Sequence, residues 1–145
     1  MAKTTSAAYP QTIKYDYAVA TAATGSLNDD TPTNMVALLT AGGEGNRVTK
    51  IWAVPRATST AGVLYLWVST DSGSTKRLAL TKTIAANTVS ATSAAIPVEF
   101  CWNNDNARPV SESEPFELEN GAILYAGYSQ ALSDGMVFHT ISIEY

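Results

Sequence analysis

The stretch "GVLYLWVST", residues 62–70, carries large apolar side chains at consecutive positions of an extended segment. Successive side chains of a β-strand point to opposite faces of the sheet, so Tyr65 and Trp67 share one face. Leu64 and Leu66 then share the other. A strand with one solvated face alternates apolar and polar residues instead. The stretch therefore predicts a strand that is covered on both faces, with a second subunit as a candidate for the outer cover.

The rest of the chain predicts further short strands. Alternating apolar positions are separated by turn signals rich in Gly, Asn and Asp, such as Asn120-Gly121, and no segment has a convincing helical period. Roughly eight strands fit an all-β, antiparallel two-sheet sandwich of jelly-roll type. We expect residues 1–33 to form an extended N-terminal arm and a first strand, and residues 34–145 to form the sandwich.

Composition excludes several classes of protein. A chain of 145 residues is long enough for one domain with its own core. Its formal net charge is −4, and its nine basic residues are scattered, which argues against nucleic acid as a partner. The amino-terminal sequence has no run of apolar residues, so we expect no membrane span and synthesis in the cytoplasm.

The sequence has few of the residues that commonly act in catalysis or bind metals. His139 is the only histidine and Cys101 the only cysteine, so neither a tetrahedral zinc site nor a disulfide is expected within the chain. A Ser-His-acid triad would need His139, which is better interpreted as a packing residue on a strand. We therefore predict that the chain is not an enzyme and has no catalytic residue, cofactor or metal.

Two polar clusters have simpler interpretations than a site. The acidic residues between Glu112 and Glu119 are interpreted as the solvated face of a strand and not as paired glycosidase carboxylates. The run Asn103–Asn106 is interpreted as a turn, with calcium binding as the alternative.

Aromatic residues are the remaining candidates for function. Flat rings suit either a sugar platform or a subunit contact, and for Tyr65 and Trp67 we favour the contact. Apolar anchors in the polar amino-terminal segment are expected to reach over a neighbouring protein. The predicted interface residues are Tyr9, Ile13, Tyr15, Tyr17, Trp52, Tyr65 and Trp67.

The order of several motifs is similar to that of a known group of proteins. The segment "ALLTAGGEGNRVTKIWAVPRATSTAGVLYLWVSTDSGSTKRLAL", residues 37–80, precedes "PFELENGAILYAGYSQALSDGMVFHTISIEY", residues 115–145. These segments resemble the small jelly-roll proteins of tailed bacteriophages that decorate or cement the capsid. The residues that carry the resemblance are Thr40-Ala41-Gly42, Gly45, Arg47-Val48, Asp71-Ser72-Gly73, Leu118, Gly121, Leu124 and Ala126.

The resemblance covers residues 34–145 and implies a structural role. It implies a homotrimer at the threefold and quasi-threefold positions of the shell, bound across neighbouring subunits of the major capsid protein. The implied location is the capsid surface of the virion. Two alternatives stay open at this point: a tail or fibre protein of a phage, and a carbohydrate-binding adhesin module.

Overall fold

The structure is a computed structural model that describes residues 12–102 and 108–145. Tyr9 and the Asn103–Asn106 run lie outside the described residues. Within the described ranges the chain forms nine strands and no helix. The strands are β1 (Thr12–Ala20), β2 (Val36–Thr40), β3 (Asn46–Pro55), β4 (Gly62–Ser69), β5 (Arg77–Ile84), β6 (Val98–Glu99), β7 (Phe116–Leu118), β8 (Ile123–Tyr128) and β9 (Met136–Glu144).

The strands form two antiparallel sheets. The first sheet has the order β1-β9-β3, and the short strands β6 and β7 both pair along the far edge of β3. The second sheet has the order β2-β8-β4-β5. The prediction of an all-β fold with two antiparallel sheets is therefore confirmed.

The core lies between the two sheets. Leu64 and Leu66 of β4 are fully buried there, together with Ile51 of β3 and Phe138 of β9. Phe100, which follows β6, closes one side of this core with its ring centroid 6.3 Å from that of Phe138. Burial of such large apolar side chains is the main favourable term in folding.

The outer side of β4 is covered by the chain itself. Tyr65 and Trp67 are only 8% and 1% exposed, with ring centroids 5.3 Å apart. Residues 21–34 cross this side of the second sheet: the Thr24 amide donates to the Tyr128 carbonyl at 2.8 Å, and Asp30 is joined to the start of β5. The chain itself therefore covers the outer side of β4, and a second subunit is not needed there.

The turn between β4 and β5 is organised by one carboxylate. Asp71 accepts hydrogen bonds from the Thr75 amide at 2.9 Å, the Thr75 hydroxyl at 2.7 Å and the Ser69 hydroxyl at 2.8 Å. These hydrogen bonds, those from Thr75 foremost, lower the pKa of Asp71 to about 2. Gly73 follows with a φ of 87°, a conformation that suits glycine.

Candidate functional site

The solvent side of the first sheet carries a continuous set of apolar and aromatic side chains. Along β1, β3 and β9 these residues alternate with core-facing neighbours, and none of them is fully buried. We call this set the aromatic face. It consists of Ile13, Tyr15, Tyr17, Val19, Trp52, Val54, Val137, His139, Ile141 and Ile143.

The register of the strands aligns the aromatic face into rows. His139, on the central strand β9, lies opposite Tyr17 of β1 and opposite Trp52 of β3. Val137, two residues before it, lies opposite Val19 and Val54 in the same way. Directly opposed side chains in antiparallel strands approach closely enough to contact, so each row is a cross-strand contact.

The rings within the aromatic face contact one another. The ring centroids of Trp52 and His139 are 4.9 Å apart with their planes at 15°, a stacked arrangement. The Tyr15 centroid is 6.1 Å from that of Trp52 and 5.7 Å from that of His139. Tyr17 extends the group, with its centroid 6.4 Å from that of Tyr15. The rings are held by strand register and not by loops, so the surface is preformed.

His139 lies at the centre of this surface. Burial lowers the pKa of His139 below its ordinary value of 6.5, so the ring is neutral at neutral pH. Its Nδ1 lies 2.5 Å from the Tyr15 hydroxyl and shares a hydrogen bond with it, in which the ring tautomer sets the donor. The aromatic face is thus uncharged at its centre.

Several of the largest side chains on the aromatic face remain open to solvent. Ile13 is 76% exposed, Tyr17 66% and Tyr15 57%. An apolar side chain that stays exposed on a sheet gains nothing from folding of its own domain. Contiguous apolar patches of this kind on soluble proteins mark sites of interaction with other molecules.

Two ion pairs border the aromatic face along its β3 edge. Lys50 pairs with Glu99 at 3.0 Å and also lies 5.4 Å from the centroid of the Trp52 ring. Arg47 pairs with Glu117 at 2.8 Å farther along β3. Protein interfaces commonly have an apolar centre and a charged rim, and this surface has that composition.

The structure brings four of the seven predicted interface residues together. Ile13, Tyr15 and Tyr17 lie on β1, which pairs with β9 over its full length, and Trp52 joins them from β3. These residues belong to a strand of the sheet and not to a free arm. Tyr9 lies outside the described residues.

The other two predicted interface residues do not belong to this surface. Tyr65 and Trp67 lie on the second sheet beneath residues 21–34, and their burial leaves little of either side chain available to a partner. The interface prediction is therefore corrected for both residues.

Sequence reasoning missed part of the aromatic face. His139 was interpreted as a packing residue, and Val137, Ile141 and Ile143 were not assigned to an exposed surface. The signal was present, because Met136 and Phe138 of β9 are apolar and fill the core while Val137, at the alternate position, is apolar as well. A second apolar set on the same strand then has to face the other side.

Within residues 12–102 and 108–145 there is no group of three or more His, Cys, Asp or Glu side chains placed to hold a metal ion. The described part of the chain also contains no helix long and apolar enough to cross a membrane. Comparison with models of known protein families, with curated proteins and with solved structures finds no match to this chain.

Proposed function

We propose that this chain is a structural protein that decorates and stabilises a bacteriophage capsid as a homotrimer. In this role it binds across neighbouring subunits of the major capsid protein on the virion surface. The aromatic face of the first sheet is the observation that supports an assembly role. The assignment to a phage capsid is based on the resemblance of residues 34–145 to capsid decoration proteins.

The extent and composition of the aromatic face favour a protein as its partner. It extends over three adjacent strands and offers few hydrogen-bonding groups, since the Tyr15 hydroxyl is already bonded to His139. A large apolar surface gains most from a partner that removes the whole of it from water. An added interface of this kind raises the free energy needed to separate capsid subunits. This stabilisation does not involve a catalysed reaction.

The strand order supports a jelly-roll winding of the sandwich. The chain moves between the sheets at most connections, with β1, β3 and β9 in the first sheet and β2, β4 and β8 in the second. Its two terminal strands β1 and β9 are neighbours in one sheet. Such winding is typical of capsid proteins, among other classes, so it agrees with the proposal but does not select it.

Sedimentation measurements on matched variants test the assembly role. Tyr17→Ser removes an exposed ring from the aromatic face, and Leu78→Ser removes a side chain that is 48% exposed on the second sheet. We expect the wild type to be a trimer, Tyr17→Ser to weaken association about tenfold or more, and Leu78→Ser to have little effect. A wild-type chain that stays monomeric at micromolar concentrations would refute the trimer.

The capsid location needs a separate measurement. We expect purified virions to contain the chain in many copies, as a shell lattice requires, and we expect the Tyr17→Ser variant to be lost from them. A few copies per virion would instead place the chain in the tail or fibre.

A carbohydrate-binding module is the second candidate. It is favoured by one observation, a shallow depression of about 320 Å³ lined by Tyr15, Tyr17 and His139, because rings can stack on sugar faces. Glycan-array binding by a monomeric wild-type chain, lost in Tyr17→Ser and kept in Leu78→Ser, would select this function over assembly.

A further inference from the structure

Arg56 differs from the other basic residues in the described part of the chain. Each of the others has a partner within the chain, whereas no hydrogen bond or ion pair is formed by the Arg56 guanidinium with the described residues. The ion pairs are Lys14–Glu144, Arg47–Glu117, Lys50–Glu99, Arg77–Asp30 and Arg108–Glu114. Lys76 donates to the Gly73 carbonyl, and Lys82 also has a partner.

This unpaired guanidinium lies beside the aromatic face. Arg56 directly follows β3, and its amide donates to the Gly135 carbonyl at 3.0 Å, which fixes the backbone there. The side chain is exposed and lines the shallow depression together with Tyr15, Tyr17 and His139. A partner that covers the aromatic face also removes water from this guanidinium, which is costly unless the partner supplies an anion.

The described part of the chain also has exposed carboxylates that are candidates for this anion. Within the described ranges, five such side chains form no ion pair or hydrogen bond with described residues. They are Asp29, Glu44, Glu112, Glu119 and Asp134. A protomer with one unpaired arginine and several unpaired carboxylates has the charges for a complementary contact between copies.

We propose that Arg56 forms an ion pair with a carboxylate of a second copy of this chain when the aromatic face is covered. The inference rests on the proposed assembly role of that face. In a threefold ring each protomer presents two different surfaces to its neighbours, so an apolar surface with one arginine can meet an acidic surface. A planar guanidinium binds a carboxylate through two parallel hydrogen bonds, so the pair also fixes the orientation of the copies.

A second copy fits the observations better than an acidic sugar. The apolar surface continues along β1 and β9 from the depression to Ile13 and Ile143, which oppose each other in the register. A single sugar bound at Arg56 would leave these side chains exposed. A protein partner covers the arginine and the surrounding apolar residues together.

Sedimentation equilibrium of charge variants tests the inference. Arg56→Glu and Arg56→Gln are compared with Arg77→Gln, a matched control that removes an exposed arginine paired within its own chain. We expect Arg56→Glu to weaken trimer formation about tenfold or more, Arg56→Gln to weaken it less, and Arg77→Gln to change it by no more than about twofold. Circular dichroism is expected to show the same fold in all variants.

Double variants then identify the carboxylate. Arg56→Glu is combined in turn with reversal of each of the five unpaired carboxylates, for example Glu44→Arg or Glu112→Arg. One of these double variants is expected to restore the trimer, because every contact in the ring regains a pair of opposite charges.

The outcomes separate this inference from the proposed function. If the wild type is a trimer and Arg56→Glu forms the trimer equally well, the ion pair is refuted and the assembly role is not. If the wild type is a monomer, both proposals are refuted. If Arg56→Glu dissociates the trimer but none of the five reversals restores it, the second copy is refuted as the source of the carboxylate. A monomeric chain that binds sialylated or uronic-acid glycans only when Arg56 is present assigns the arginine to a sugar.

Discussion

The rings of Trp52 and His139 stack on the solvent side of the first sheet, with centroids 4.9 Å apart on the neighbouring strands β3 and β9. The pair lies at the centre of an aromatic face that no described segment covers. Its geometry is set by the register of two paired strands, so it does not depend on a mobile loop. A rigid, uncharged and apolar surface of this kind is suited to protein contact, because little conformational entropy is lost on binding.

The stability of the chain should depend on the protonation of His139. Burial lowers the pKa of His139 in the folded chain, so the unfolded chain binds the proton more tightly. The neutral ring makes its full contribution to the free energy of unfolding when the pH is above 6.5, the ordinary pKa of histidine. This contribution is lost as the pH falls through 6.5 towards the lower pKa of the folded chain. We expect the free energy of unfolding from urea titrations to fall over this range more steeply in the wild type than in His139→Gln.

The His139→Gln variant is the control, because it retains every carboxylate that also titrates in acid. The difference in slope cannot exceed that of one proton, about 1.4 kcal/mol per pH unit. Parallel curves for the two proteins between pH 7 and pH 5 would contradict a perturbed histidine.

Two tryptophans that look alike in the sequence should respond differently to truncation. Trp67 is 1% exposed, so Trp67→Ala should cost about 3–5 kcal/mol of unfolding free energy through the cavity it leaves. Trp52 is only partly buried, and Trp52→Ala should cost less than half as much while it weakens association. Chemical denaturation and sedimentation of both variants measure the two effects. Equal losses of stability would contradict the different burial of the two rings.

Gly45 should be among the least replaceable residues of the chain. It has a φ of 95°, and a Cβ atom there would lie 2.6 Å from the carbonyl oxygen of Leu118. We expect Gly45→Ala to lower the unfolding free energy by at least about 1–3 kcal/mol, the usual cost of such backbone strain. Gly43, in the same turn, would place its Cβ in open space, so Gly43→Ala is the matched control and should be nearly neutral. A similar stability for both variants in thermal unfolding would disprove this reasoning.

Removal of residues 2–17 should destabilise the fold. This deletion takes away the part of β1 that pairs with Glu144 to His139 of β9 and leaves only the pairs from Ala18 to Ala20. We expect a lower thermal midpoint and weaker association, so loss of association alone cannot be read as loss of a binding arm. Deletion of residues 2–11 retains all of β1 and is the appropriate comparison. Unchanged stability after removal of residues 2–17 would show that β1 is dispensable.

Much of the fold was predictable from local pattern. Alternating apolar residues along β3, β8 and β9 and turn signals such as Asn120-Gly121 specify short strands, because side chains of a strand alternate between faces. The doubly apolar pattern of β4 also correctly indicated cover on both sides. Which segment covers a strand depends on long-range packing. Residues 21–34, which have no strong sequence pattern, cover the outer side of β4.

The candidate site was only partly predictable for the same reason. Tyr15, Tyr17 and Trp52 were identified as contact residues, but Tyr65 and Trp67 have the same chemistry and are covered. Residue type alone cannot distinguish an exposed ring from a covered one. The solvent-facing row of β9 could have been recognised from its second apolar set.

The sequence by itself determined that this protein is built of strands, that its core is apolar and that it has a single histidine and a single cysteine. These properties follow from residue type and spacing, which act locally along the chain. Only the tertiary structure decided which apolar surface stays open and that Arg56 lies beside it without a partner among the described residues. The pairing of β1 and β3 with β9 joins side chains more than 80 residues apart, and such proximity depends on the packing of the whole chain.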